Sequence, residues 1–249
     1  MRMDFDSDGV RLHYERHGPE TRPAVVLVHG FASDYQLNWV GTRWQESLVG
    51  AGYHVIGLDC RGHGASDKPH DPAAYALELM AADIRRLLDH LGIRVAHYLG
   101  YSMGARIGVQ AMLDFSNRLG RVVLGGIGWG GAFHEAPEIA RMLRGEPSGS
   151  PVAQSFYDFA RARPSNDLEA LAACILGPQP KPDPARLAAI TNQVLVVVGS
   201  QDDIAADAER LVKSIPTARL VTVAGRNHMS TVGAKEFKAA ALEFLRRED

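Results

Sequence analysis

Four short stretches carry the residue types that nucleophilic chemistry needs: His29-Gly30-Phe31, Gly100-Tyr101-Ser102-Met103-Gly104, Gly199-Ser200-Gln201-Asp202-Asp203 and Gly225-Arg226-Asn227-His228. Each follows a run of strand character. Together they offer a serine hydroxyl, a carboxylate (Asp202 or Asp203) and an imidazole. A serine hydroxyl is a weak nucleophile at neutral pH. It needs a base such as imidazole, and the imidazole needs an acceptor that fixes its tautomer and stabilises its charged form. The chemistry on offer is attack by an activated serine.

The stretch from Arg94 to Gly108 starts as an apolar, strand-like run and turns abruptly into a helix at the G-x-S-x-G around Ser102. A serine on so tight a turn has a strained backbone, and its neighbours two residues away must be small. In return the hydroxyl stands clear at the end of the sheet, and the first amides of the new helix face whatever bonds to it. Small residues recur at Gly104, Gly108 and Ala111, a thin helix face that can lie close against a sheet. Roughly one chain in ten of this length carries the five-residue pattern by accident. The strand-turn-helix context and the later partners are what give it weight.

The elements that must position these residues follow a simple rhythm. Met3 to Asp6 and Val10 to Arg16, separated by Asp8-Gly9, read as an amino-terminal hairpin. Ala24–Val28, Tyr53–Leu58, Arg121–Gly126, Val194–Val198 and Arg219–Val223 read as strands, several of them continuously apolar, as in a sheet buried on both faces. Helices are expected over Thr42–Val49, over Ala74–His90 (apolar stripe Met80, Ile84, Leu87, Leu88, Leu91), around Ile204–Ile215, and at the end with Phe237, Ala241, Phe244 and Leu245 on one face. From Gly131 to Pro184 the rhythm changes to short helical pieces without strand signal, broken by Pro/Gly-rich segments at Gly145–Pro151 and Pro178–Pro184. Alternating strands and helices imply an α/β fold with a mostly parallel sheet covered on both faces, whose chemistry gathers at the carboxyl ends of strands.

Composition narrows the class. At 249 residues, 46% hydrophobic and a formal charge of -2, the chain can bury a large core and offers no basic surface for nucleic acid or membranes. The amino terminus has no signal-like apolar stretch, and no run approaches a bilayer span. Cys60 and Cys174, far apart in sequence, suit a reducing compartment, so a cytoplasmic location is expected.

On His29-Gly30, the Asp59–Ser66 loop (D-x-R-G-x-G-x-S), the Ser102 elbow, Gly199-x-x-Asp202 and Gly225-x-x-His228, the chain resembles the α/β-hydrolase superfamily over nearly its whole length. The resemblance implies a core domain of residues 1–130 and 185–249, with residues 131–184 as a small helical cap. It implies Ser102 as nucleophile, His228 as general base and acid, and Asp202 as the orienting carboxylate in the order Ser, Asp, His. It places the oxyanion hole at the backbone amides of Phe31 and Met103. The serine, where epoxide- and halide-cleaving relatives have aspartate, argues for acyl transfer. The expected activity is a carboxylesterase for small-molecule esters of short to medium acyl length, acting as a monomer or homodimer and needing no cofactor or metal. Cofactor-free peroxidase or perhydrolase-like proteins, carbon–carbon hydrolases and small-molecule receptors keep the same triad, so the motifs do not separate them.

Trp129, Phe156, Tyr157 and Phe159 are candidate walls of the substrate pocket, against the plainer reading that they pack the core. His29 is expected to pack beneath its loop, and Asp59, Arg61 and His63 to stabilise theirs. His63 and His97 lack a second ligand at metal spacing, and Cys60 reads as a small buried hydrophobe.

Overall fold

A computed structural model describes residues 2–129 and 133–246. The chain opens with a hairpin of β1 (Arg2–Ser7) and β2 (Val10–His17), turned at Asp8 and Gly9, both at positive φ. The strands β3 (Ala24–Val28), β4 (His54–Leu58), β5 (Ala96–Tyr101), β6 (Leu119–Gly125), β7 (Val194–Gly199) and β8 (Ala218–Val223) follow. They form one sheet in the order β1-β2-β4-β3-β5-β6-β7-β8. Pairing is antiparallel for β1 with β2 and for β2 with β4, and parallel elsewhere. Side chains alternate across the sheet: Val26 and Val28 join one apolar layer, Val25 and Leu27 the other. Burial on both faces is why these strands are apolar without a break.

Helices cover both faces. The layer on one side takes α2 (Leu77–His90) and α3 (Met103–Phe115); the other takes α1 (Trp44–Gly50) and the last helix, whose Phe237, Ala241, Phe244 and Leu245 are buried. The thin face expected on α3 is required. A Cβ at Gly104 would sit 2.0 Å from the Val28 carbonyl oxygen, and one at Gly108 would meet the Tyr98 ring at 2.5 Å.

Between β6 and β7 the chain inserts α4 (Ala136–Leu143), α5 (Pro151–Arg161), α6 (Leu168–Ile175) and α7 (Pro184–Ala188), with no strand among the described residues. Three of these starts are set by side-chain caps: Ser150 accepts from the Ala153 amide, Asp167 from Ala170 and Asp183 from Ala185, with Pro first in α5 and α7. The expected core–cap junction at 130/131 lies outside the described residues. The other expected junction, at Pro184, falls at the start of α7.

Three expectations shift. The expected helix over Thr42–Val49 begins at Trp44 and is preceded by a wide helical turn at Gln36–Val40, separated from it by Arg43 at φ 64°. Expected from Ala74, α2 starts at Leu77, because Ala76 is extended (ψ 136°) after a short turn over Pro72–Tyr75. Ile204 stands outside its helix, α8 (Ala208–Ser214), and turns instead toward the site described below. The last two helices are α9 (His228–Thr231) and α10 (Lys235–Arg246). Among the described residues no helix is long and apolar enough to cross a membrane.

Candidate active site

Ser102 sits between the last residue of β5 and the first of α3 with φ 53° and ψ -111°, a conformation costly for any residue with a Cβ. The turn closes because its flanks are glycine: a Cβ at Gly100 would lie 2.4 Å from the Gly104 carbonyl oxygen. The Ser102 amide donates to the Gly125 carbonyl on β6, which pins the elbow to the sheet.

Two loops bring partners to the hydroxyl. His228 Nε2 lies 2.9 Å from Ser102 Oγ, and Nδ1 lies 3.0 Å from both oxygens of Asp202. A carboxylate only accepts, so Nδ1 carries the proton and Nε2 is free to receive the one on the serine. The Asp202 side chain is fully buried, whereas Asp203 is exposed. Asp202 Oδ1 also accepts from the Ala205 amide at 3.0 Å, which fixes the carboxylate. His228 opens α9, where Asn227 and Ser230 form a reciprocal cap. Gly199 lets that loop pass, since a Cβ there would sit 2.1 Å from the Arg226 carbonyl oxygen. The Tyr101 hydroxyl donates to the His228 carbonyl, and its ring lies 5.5 Å from the imidazole. Burial pushes the Tyr101 pKa upward, so the phenol stays a neutral donor.

The loop after β3 faces the serine closely enough that a Cβ at Gly30 would lie 3.4 Å from Ser102 Cβ. Its peptide groups are fixed one by one. The Gly30 amide donates to Asn38 Oδ1 (3.0 Å), and the Gly30 carbonyl accepts from His29 Nδ1 (2.8 Å) and from the Ser33 amide (3.3 Å). In a planar trans peptide the Phe31 N–H points opposite to that carbonyl, away from His29. The Ala32 amide donates to His63 Nε2 at 3.1 Å, holding Ala32 at φ 55°. Met103, the first residue of α3, supplies an amide without an intrahelical acceptor. Phe31 lines the same cavity as Ser102, and Met103 follows the serine directly in the chain.

His29 and His63 are fully buried beneath this loop, with ring centroids 5.1 Å apart. Burial holds both below the usual imidazole range, His63 down to about 3. Asp59 accepts from the Tyr35 and Ala65 amides, and Arg61 makes a bidentate pair with Asp83 at 2.6 and 2.8 Å. The Asp59–Ser66 loop is thus a scaffold beneath the site.

Above Ser102 lies a cavity of about 480 Å³. Its wall is mostly apolar: Phe31, Leu37, Phe156, Phe159, Ile204 and Val232, with Met229 53% exposed at the rim. None of the described lining residues is Asp, Glu, Lys or Arg. Of the four aromatic side chains expected in the wall, Phe156 and Phe159 line it, three residues apart on α5. Trp129 and Tyr157 do not, which corrects that expectation. Tyr157 points round the helix and carries Arg161 over its ring at 5.5 Å. Trp129 lines a separate cavity of about 150 Å³, its ring covered by Arg210 at 4.2 Å.

Sequence reasoning missed Asn38, Leu37, Tyr101, Ile204, Met229 and Val232 as cavity lining. One signal was available for Tyr101. The Gly125-Gly126 pair at the end of β6 leaves the space its ring fills, a Cβ at Gly126 lying 2.8 Å from Tyr101 Cζ and 3.1 Å from His228 Cε1.

The family model described as alpha/beta hydrolase fold matches residues 23–151. The chain is 32% identical over 268 residues to 2-hydroxy-6-oxononadienedioate/2-hydroxy-6-oxononatrienedioate hydrolase 2 of Pseudomonas putida, covering 95% of this chain and 92% of that protein. Two further curated relatives are covered over only 35% and 41% of their own length. Among solved structures, a hydrolase from Pseudomonas aeruginosa PA01 superposes with a TM-score of 0.83 at 27% identity, covering 99% of this chain and 98% of that one. A thermophilic esterase from Thermogutta terrifontis gives 0.80 at 26% identity, covering 99% and 98%.

Proposed function

Because the chain belongs to the alpha/beta hydrolase fold family, we propose that it hydrolyses carboxylic esters with small to medium, uncharged acyl groups through an acyl-enzyme on Ser102. The observation that carries this reading is the unbroken relay from Ser102 Oγ to His228 (2.9 Å) to Asp202 (3.0 Å). As Ser102 Oγ attacks the ester carbonyl, His228 Nε2 takes its proton, and the Asp202 carboxylate stabilises the resulting imidazolium. The amides of Phe31 and Met103 receive the charge that develops on the carbonyl oxygen, where preorganised donors act most strongly. His228 returns the proton to the departing alkoxide, and the alcohol leaves. Water then attacks the acyl-enzyme with His228 again as base, releasing the carboxylic acid and restoring the serine. The buried free thiols of Cys60 and Cys174 suit a cytoplasmic setting.

A carbon–carbon hydrolase is the second reading, favoured by the Pseudomonas putida relative, which is named for a dioate. The cavity argues against it: a dicarboxylate buried beside Ser102 would need cationic partners, and the described lining has none. The test is turnover of p-nitrophenyl butyrate with Ser102 labelling by a fluorophosphonate. Turnover lost in Ser102→Ala, together with loss of the fluorophosphonate label, supports the ester reading. Cleavage of a carbon–carbon bond in a vinylogous diketone acid without ester turnover would replace it. Tight ligand binding without any turnover would point to a receptor.

A further inference from the structure

The loop that offers the Phe31 amide is held from two sides, and one of them is the inserted helical segment. After α5 the chain folds back in a turn, with the Asn166 amide donating to the Arg163 carbonyl at 3.0 Å. Asn166 Nδ2 then donates both to the Ala160 carbonyl at the end of α5 (2.9 Å) and to the Ala32 carbonyl (3.3 Å). The Arg163 guanidinium pairs with Asp34, whose side chain is only 9% exposed. Asp34 in turn builds the helical turn that presents Asn38: its Oδ1 accepts from the Leu37 amide (2.7 Å) and its carbonyl from the Asn38 amide (2.9 Å). Asn38 Oδ1 holds the Gly30 amide. Both routes end on the two neighbours of Phe31, Gly30 and Ala32.

The same helix, α5, supplies Ser155, Phe156 and Phe159 to the cavity wall. A shift of α5 therefore changes the cavity wall and the anchoring of the Phe31 amide together. We infer that Arg163 and Asn166 are positioning residues that make the Phe31 oxyanion donor depend on α5 being docked over the site. Ala32 is held at positive φ from both sides, its amide on His63 and its carbonyl on Asn166, so loss of the Asn166 bond removes one of the two restraints next to Phe31. The inference rests on the ester-hydrolase reading.

The experiment is steady-state kinetics on p-nitrophenyl butyrate together with the rate of fluorophosphonate labelling at Ser102. Loss of a whole oxyanion donor costs about a hundredfold or more in kcat, so a displaced donor should cost about tenfold to a hundredfold. Arg163→Gln should lower kcat by that factor with KM within about threefold, because the interaction lost is made in the transition state. Arg163→Lys should recover most of it. Asp34→Asn should match Arg163→Gln, and the double variant should be no worse than either alone, as for two halves of one contact. If Arg163→Gln does not fold, Asn166→Ala carries the same expectation. An unchanged kcat, a loss confined to KM, or multiplicative losses in the double variant would overturn the inference. Wild-type turnover that Ser102→Ala abolishes tests the hydrolase reading separately. If the wild type turns over no ester, the labelling rate, which uses the same amides, must still fall in Arg163→Gln or the inference is wrong.

Discussion

The amide of Ala32 donates a 3.1 Å hydrogen bond to Nε2 of His63, a side chain with no solvent exposure. His63 Nδ1 is committed to the Arg61 carbonyl (2.9 Å), so the ring is neutral with its proton on Nδ1. A proton on Nε2 would break the bond that holds the loop beside Ser102.

The pH dependence of stability follows. Burial holds His63 at about 3 in the folded protein, against ~6.5 for an unfolded histidine. Between those values the unfolded chain binds the extra proton, so stability rises with pH and is lost as pH falls from ~6.5 toward 3, at up to about 1.4 kcal/mol per pH unit. His29, also depressed by burial, adds in the same direction. Urea melts from pH 7 to pH 4 should show this slope, and His63→Gln should flatten it. An unchanged slope in the variant would assign the acid sensitivity elsewhere.

Ser102→Ala should remove ester hydrolysis by about a thousandfold or more, because the three side chains act as a unit. The backbone makes a second, independent prediction. At φ 53° any Cβ is strained, so Ser102→Gly should be more stable than Ser102→Ala by about 1 kcal/mol or more while equally inactive. Equal melting temperatures for the two would show that the turn carries no such strain.

Gly104→Ala separates packing from chemistry. Its Cβ would sit 2.0 Å from the Val28 carbonyl oxygen and 2.9 Å from that of His29, both backbone atoms that cannot swing away. The helix must lift from the sheet, at a cost of about 3 kcal/mol or more. Loss of stability and activity together is expected in thermal melts and ester assays. A variant that keeps its wild-type melting temperature would mean that α3 has room to move.

What the sequence disclosed, and what it hid, has a physical pattern. Ser102, Asp202 and His228 stood out because each follows a strand end and needs a glycine at a fixed offset, and Gly100, Gly199 and Gly225 supply them. The structure brings the three together. Strands were legible because burial on both faces leaves an unbroken apolar run, as in Val194–Gly199. The helical turn at Gln36–Val40 was not, because five residues are too few to show a period, and its support comes from Asp34 rather than from an apolar stripe. The cavity wall was legible only in part. Aromatic composition marks Phe156 and Tyr157 alike, and only the placement of α5 decides that one faces the cavity and the other meets Arg161.

The cavity of about 480 Å³ lies in the lower half of the range of small-molecule sites, and its wall is apolar. Each methylene buried there is worth ~0.8 kcal/mol, or about fourfold in kcat/KM, until the space is filled. Beyond that point a longer chain must leave past the rim at Met229 or push α5 aside, and gains nothing. Along p-nitrophenyl esters from acetate to palmitate, kcat/KM should therefore climb, peak at roughly four to eight carbons and then fall. An ester of a dicarboxylic acid with one free carboxylate should react more slowly than the neutral ester of equal length, because the charge would enter a wall with no Lys or Arg among its described residues. Phe156→Ala and Phe159→Ala, which remove the side chains that roof the cavity, should move the optimum to longer chains. A wild-type optimum at palmitate, or an optimum that neither substitution moves, would show that the acyl group does not occupy this cavity.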